Sequence, residues 1–193
     1  MRMKTGCMAI AVAMATASYA GAALTDFGGT LVDIEYWTGA GGNESVLVVD
    51  FGSDSYAFGY KWADSATGFE MLQDVSEGGN LDFSYTDWGW GYSVDSISYD
   101  GHTMAGADWP TDCMGYWTSG DGADWTASAV GSDARALQGG DWDGWAHQGE
   151  AGGGEWGWDP LVDPNVPVPE PASLALAAIG AGVLALRRRR RIE

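Results

Sequence analysis

Along Thr30–Thr38 (TLVDIEYWT) apolar and polar side chains partly alternate, with Val32, Ile34 and Tyr36 on one side and Leu31, Asp33, Glu35 and Trp37 on the other. A period of two is the pattern of a half-buried strand, here with Val32, Ile34 and Tyr36 inward. Two further apolar runs come next, Ser45–Phe51 (SVLVVDF) and Tyr56–Trp62 (YAFGYKW), separated by Gly39–Asn43 and Gly52–Asp54. Turns rich in Gly, Asp and Ser between short strands predict an antiparallel meander. Thr67-Gly68-Phe69-Glu70 then reads as a capping box, with Thr67 as N-cap and Glu70 at the third helical position. Phe69, Leu72 and Val75, widened by Met71, form an apolar stripe that ends at Glu77–Asn80. This helix is expected to lie across the sheet and cover it. Leu81–Thr86 and Gly91–Tyr99 are two more strands around Asp87–Trp90. Either face of the second can be the inner one, so its register stays open.

After Asp100 aliphatic residues thin out. Met114–Thr118 and Trp125–Val130 are possible strands, whereas Thr118–Asp124 and Gly139–Trp158 are dense in Gly, Asp and Trp. Gly152-Gly153-Gly154 and the proline-spaced stretch 159–169 read as a flexible linker. The fold expected is mainly β (α+β), an antiparallel sheet or sandwich with one covering amphipathic helix. It divides into a domain over 24–158, better defined in 24–101 than in 102–158, and a linker over 159–169.

Both ends of the chain break this texture. Arg2 and Lys4 precede an apolar run, Met8–Ala17, and then small residues, the layout of a secretory signal peptide over 1–23. Cleavage fits after Ala20, Ala22 or Ala23. At the other end, Val168-Pro169-Glu170-Pro171 is succeeded by an uncharged segment, 172–186, and by Arg187, Arg188, Arg189, Arg190 and Arg191. The prolines fix φ and remove backbone donors, which keeps the motif extended. Five consecutive arginines hold their end in the cytoplasm, so everything upstream is delivered across the membrane. Fifteen residues of helix reach about 22 Å, short of a hydrocarbon core of roughly 30 Å, which suits a transient single transmembrane tether.

Motif, apolar segment and arginine cluster, in that order at the C-terminus, resemble the PEP-CTERM sorting signal of bacterial envelope proteins, here over 168–191. The resemblance implies recognition of the tail by a membrane-embedded exosortase, a cut near the motif, and passage to the cell surface or outside it. Such proteins often accompany exopolysaccharide production. It implies nothing about the chemistry of the exported domain.

Charge sharpens the picture once both ends are removed. Arg2, Lys4 and the tail arginines take seven of the nine basic residues, leaving Lys61 and Arg135 against 25 acids, a net of −23. A charge of that size argues against nucleic acid or an anionic lipid surface as partner. Cys113 has no second cysteine in the mature chain, so packing must hold the fold, and burial is its expected state.

The sequence has no GxSxG elbow, no HExxH and no phosphate-binding glycine loop, and a catalytic pair cannot be chosen among so many carboxylates. A non-enzymatic protein is therefore expected, with a secreted hydrolase as the third choice. Asp141-Trp142-Asp143-Gly144 resembles a fragment of a calcium loop, although Gly139 stands where an EF-hand needs its first acid. Asp141 and Asp143 are the candidate metal ligands, with calcium as the ion, in the alternative reading of a metal- or small-ligand-binding module. The leading reading rests on tryptophan. Of eleven, Trp142, Trp145, Trp156 and Trp158 lie among glycines and acids, where open ring faces would stack on sugars of an extracellular polysaccharide or build matrix contacts. Trp37 and Trp62, within strands, are expected in the core.

Overall fold

A computed structural model describes residues 23–106, 113–148 and 162–168. Residues 1–22 of the stretch read as a signal peptide, Trp156, Trp158, Pro169–Pro171, the apolar segment 172–186 and Arg187–Arg191 lie outside the described residues. Among those described, no helix is long and apolar enough to cross a membrane.

The described chain is mostly β, with two sheets and one helix. The larger sheet has the order β1-β2-β4-β3-β10-β8-β9, from β1 (Ala23–Phe27), β2 (Thr30–Gly39), β3 (Asn43–Asp50), β4 (Ser55–Trp62), β8 (Met114–Ser119), β9 (Thr126–Ala127) and β10 (Trp142–His147). The smaller sheet is β5 (Asp82–Asp87), β6 (Tyr92–Tyr99) and β7 (His102–Ala105).

The expected meander forms only in part. β3 and β4 make the antiparallel hairpin that their turn chemistry requires. β2, however, passes over β3 and pairs with β4 in parallel, and β10 pairs in parallel with β3. The large sheet is therefore mixed, not antiparallel. Period-two patterning marks a strand but carries no information about its neighbour.

β2 also departs from its expected facing. Its register slips between Ile34 and Trp37, where it pairs with Ala57 and then Gly59. The extra residue is a β-bulge, which reverses the facing of the rest of the strand. Val32 and Ile34 join one core cluster, whereas Tyr36 turns to the other and donates its hydroxyl to the Val75 carbonyl at 2.9 Å. Trp37 swings onto the Val32 face. A side chain at Gly59 would lie about 2.1 Å from its ring, so the indole occupies space that only glycine leaves open.

Both faces of the large sheet are covered. On one, Leu47, Val49, Phe58, Tyr60, Trp62 and Trp145 pack against the helix and against Ile97 and Met104 of the small sheet. On the other, Val46, Val48, Ala57 and Trp142 pack with Phe27 of β1 and with Val166. This two-sided burial explains the continuous apolar run of β3. Trp62 and Cys113 are buried, as expected, and Trp37 is half-buried.

The helix α1 (Gly68–Gly78) starts with the capping box in full: Thr67 Oγ1 accepts from the Glu70 amide at 3.2 Å, and Glu70 Oε2 accepts from the Thr67 amide at 2.8 Å. Phe69, Met71, Leu72 and Val75 are its buried face. Thr67→Ala removes the side-chain acceptor of the Glu70 amide, and a loss of about 1 kcal/mol in the urea unfolding free energy is expected. In β6 the register against β5 shifts between Ser84 and Tyr85. Ile97 and Tyr99 therefore face the core while Ser96 and Ser98 point outward, and the pattern shifts phase beyond Asp95. No single alternation describes the strand, so its sequence leaves the register open.

The stretch 159–169 is not a free linker over 162–168. Gln148 accepts from the Val162 amide at 2.9 Å and donates to its carbonyl at 2.8 Å. Asp50 Oδ2 accepts both the Asn165 amide and its side-chain Nδ2, at 2.8 and 2.7 Å. Pro164 is buried against Gly144, whose added side chain would meet it at 2.4 Å. Proline spacing, read as flexibility, here produces an extended strap across the second face of the sheet.

Candidate functional site

The β5–β6 hairpin is closed by a tight tip. Asp87 Oδ1 accepts from the Gly89 amide at 2.7 Å, Trp88 N–H donates to the Gly91 carbonyl at 3.0 Å, and Gly89 takes φ 76°, which glycine tolerates freely. The strands just below the tip are fixed by Phe69 in the first turn of α1. Phe69 stacks on Tyr92 at 4.4 Å and 15°, and meets Tyr85 edge-on at 5.0 Å. Above that staple the tip carries Trp88, 58 % exposed, and Trp90, 85 % exposed, beside the half-open rings of Tyr85 and Tyr92. The tip thus carries two exposed indoles on an element anchored through Tyr85 and Tyr92. Large apolar groups left in water on a rigid support mark a contact surface.

The loop 131–137 adjoins this tip. A side chain at Gly91 would come within 3.1 Å of Asp133, and Phe69 N–H donates to the Ser132 carbonyl at 2.9 Å. On the other side of the loop lies an open groove of about 490 Å³, lined by Thr118, Asp124, Thr126, Ser128, Arg135 and Asp141 among others. Its walls offer hydroxyls, carboxylates and one guanidinium.

Behind the groove, β10 places Asp143 on the helix side of the sheet, beneath the N-terminus of α1. Asp143 is fully buried and accepts a short hydrogen bond from the Tyr116 hydroxyl. Arg135 Nε lies 3.5 Å from its other oxygen, while Arg135 Nη2 donates to Asp141 at 2.7 Å. Burial pushes the Asp143 carboxyl up to about 6, a rise moderated by the Tyr116 bond and the Arg135 charge. Burial and the adjacent Asp143 push the Tyr116 hydroxyl strongly upward. Gly68 is required here, since a side chain would lie 2.2 Å from the Tyr116 oxygen and 2.5 Å from Asp143.

Asp141 and Asp143 are therefore both engaged by Arg135 and do not converge on open space as metal ligands. No group of three or more His, Cys, Asp or Glu side chains suited to an ion occurs among the described residues. Asp121, in similar sequence company, accepts from Ser119 Oγ and from the Ala123 and Asp124 amides, and these bonds hold its carboxyl below the usual range. It is a turn former.

Trp142 and Trp145 do not present open ring faces. Trp142 is 0 % exposed, edge-on to Phe27 at 5.4 Å, and Trp145 is buried in a stack on Tyr116 at 4.8 Å. Gly- and Asp-rich neighbours suggest loops, but β10 runs between β3 and β8 and both of its faces are covered. Among the described residues the exposed pair is instead Trp88 and Trp90, in a stretch whose sequence marks only a turn. The available signal is two indoles flanking a glycine between strands, with no alternation to bury them.

The geometry describes a β-rich domain with an aromatic tip, ending in a strap that leads to Val168. There the sorting tail begins: residues 167–191 match the family model described as the PEP-CTERM protein-sorting motif. The motif marks an exosortase substrate, exported and directed to the envelope or surface. No curated protein matches the chain.

Proposed function

We propose that this chain is a non-enzymatic exported protein that, once sorted by an exosortase-type enzyme, binds extracellular polysaccharide through the tip of the β5–β6 hairpin and so becomes part of the surface matrix. The observation that carries the reading is the exposure of Trp88 and Trp90 on a hairpin pinned by Phe69. Indole faces lie flat on the C–H faces of sugar rings, and a fixed support lowers the entropy lost on binding. The adjacent groove, with Thr118, Thr126 and Ser128 beside Asp124, supplies donors and acceptors for sugar hydroxyls. The acidic surface repels anionic chains, so a neutral glycan is the favoured ligand.

The test is tryptophan fluorescence titrated with neutral surface polysaccharide in the presence of a chelator. Trp88→Ala with Trp90→Ala is expected to weaken binding tenfold or more, on the order of 1.4 kcal/mol, with the circular dichroism spectrum unchanged. Wild-type affinity in the folded double variant would overturn the assignment. A response abolished by the chelator would point to an ion instead.

A further inference from the structure

The docked strap ends where the sorting motif begins. Its backbone is already committed to the domain: the Val162 amide and carbonyl to Gln148, the Asn165 amide to Asp50, and the Pro167 carbonyl to the Asp33 amide at 3.0 Å. Pro164 and Val166 pack on the sheet, and Val168, beyond the last of these bonds, is 64 % exposed. Residues 167–191 are those that match the sorting motif.

We infer that the strap is a built-in limit to processing: the membrane enzyme takes only Val168 and the residues beyond it, and residues 162–167 stay on the mature domain as its last structural element. The inference rests on the reading of the tail as an exosortase signal. Enzymes that cut peptides hold the substrate extended and hydrogen-bond its backbone on both sides of the scissile bond. Upstream of Val168 the Val162 amide and carbonyl, the Asn165 amide and the Pro167 carbonyl are already taken by the fold. Detaching them would also leave the Asp50 carboxylate, 2 % exposed, without both of its Asn165 partners. In the cut, the C–N amide bond after Val168 or a later residue breaks. The acyl carbon passes to water or to an acceptor amine, and the departing nitrogen keeps the tail and gains a proton.

The experiment has two arms, both on the full chain. In the native host, intact mass of the processed protein gives its C-terminus, which is expected at residue 168 or later; an end at 167 or earlier overturns the proposal. In the second arm, purified full-length chain is treated with a broad-specificity endopeptidase, wild type beside Asn165→Asp, which sets a second carboxylate against Asp50. Cleavage within 162–167 is expected at least tenfold faster in the variant, and equal rates overturn the proposal. A chain that keeps its whole tail in the host refutes the sorting reading, while the protease arm still decides whether the strap is shielded.

Discussion

Trp142→Ala should lower the unfolding free energy by about 3–5 kcal/mol, enough to consume much of a single domain's stability. The indole is wholly buried in the strand between β3 and β8, and it rests so close to Gly122 that a methyl there would lie 2.8 Å from the ring. Truncation removes the largest side chain of the second core cluster and leaves a cavity that neighbours held by β-ladders on either side cannot fill. Trp90→Ala, by contrast, should change stability by less than about 0.5 kcal/mol, because the ring it removes stands in water. Urea titrations of the two variants make the comparison. Equal losses would mean that the hairpin tip is part of the core or that Trp142 is not.

Arg135→Ala is expected to cost about 3–5 kcal/mol near pH 7.5 and clearly less near pH 5. The residue is one of two cations in the exported part and compensates two carboxylates, of which Asp143 is fully buried. The folded Asp143 carboxyl titrates at about 6 against 3.8 for an ordinary aspartate, chiefly because burial penalises its charge. The folded state therefore keeps a proton that the unfolded chain has already released between pH 4 and 6. Stability from this group is greatest below pH 4 and falls as pH rises to 6, by about 3 kcal/mol in all. Removing the guanidinium raises the carboxyl further, so the variant's deficit grows as pH climbs past 6. Denaturant unfolding of both proteins from pH 4.5 to 8 measures it, and adding Asp143→Asn should flatten the difference. A deficit independent of pH would show that Arg135 matters only for packing.

The elements set by neighbouring residues are legible in the sequence. Thr67 and Glu70 are three positions apart and touch whatever the rest of the chain does, and β3 and β4 are joined by a turn whose residues specify a hairpin. The choices made at long range are not legible. β2 pairs with β4 instead of β3, and β10 meets β3 across nearly a hundred residues. Trp142 and Trp90 each have an acidic residue or glycine beside them, and only the sheet order buries one and exposes the other. The same blindness hides the strap: Asn165 and Asp50 are 115 positions apart, and prolines that look like a spacer fit a flat apolar face instead. Asp141 and Asp143 suggest a cation, and the fold supplies one in Arg135.

The place of β10 has a consequence for the order of events during secretion. The strand that joins the two halves of the large sheet is the last of the described strands in chain order, so β3, already paired with β4, and β8, already paired with β9, each keep one edge open until it arrives. The large sheet of this exported chain thus cannot be completed until nearly all of the described residues are available to it.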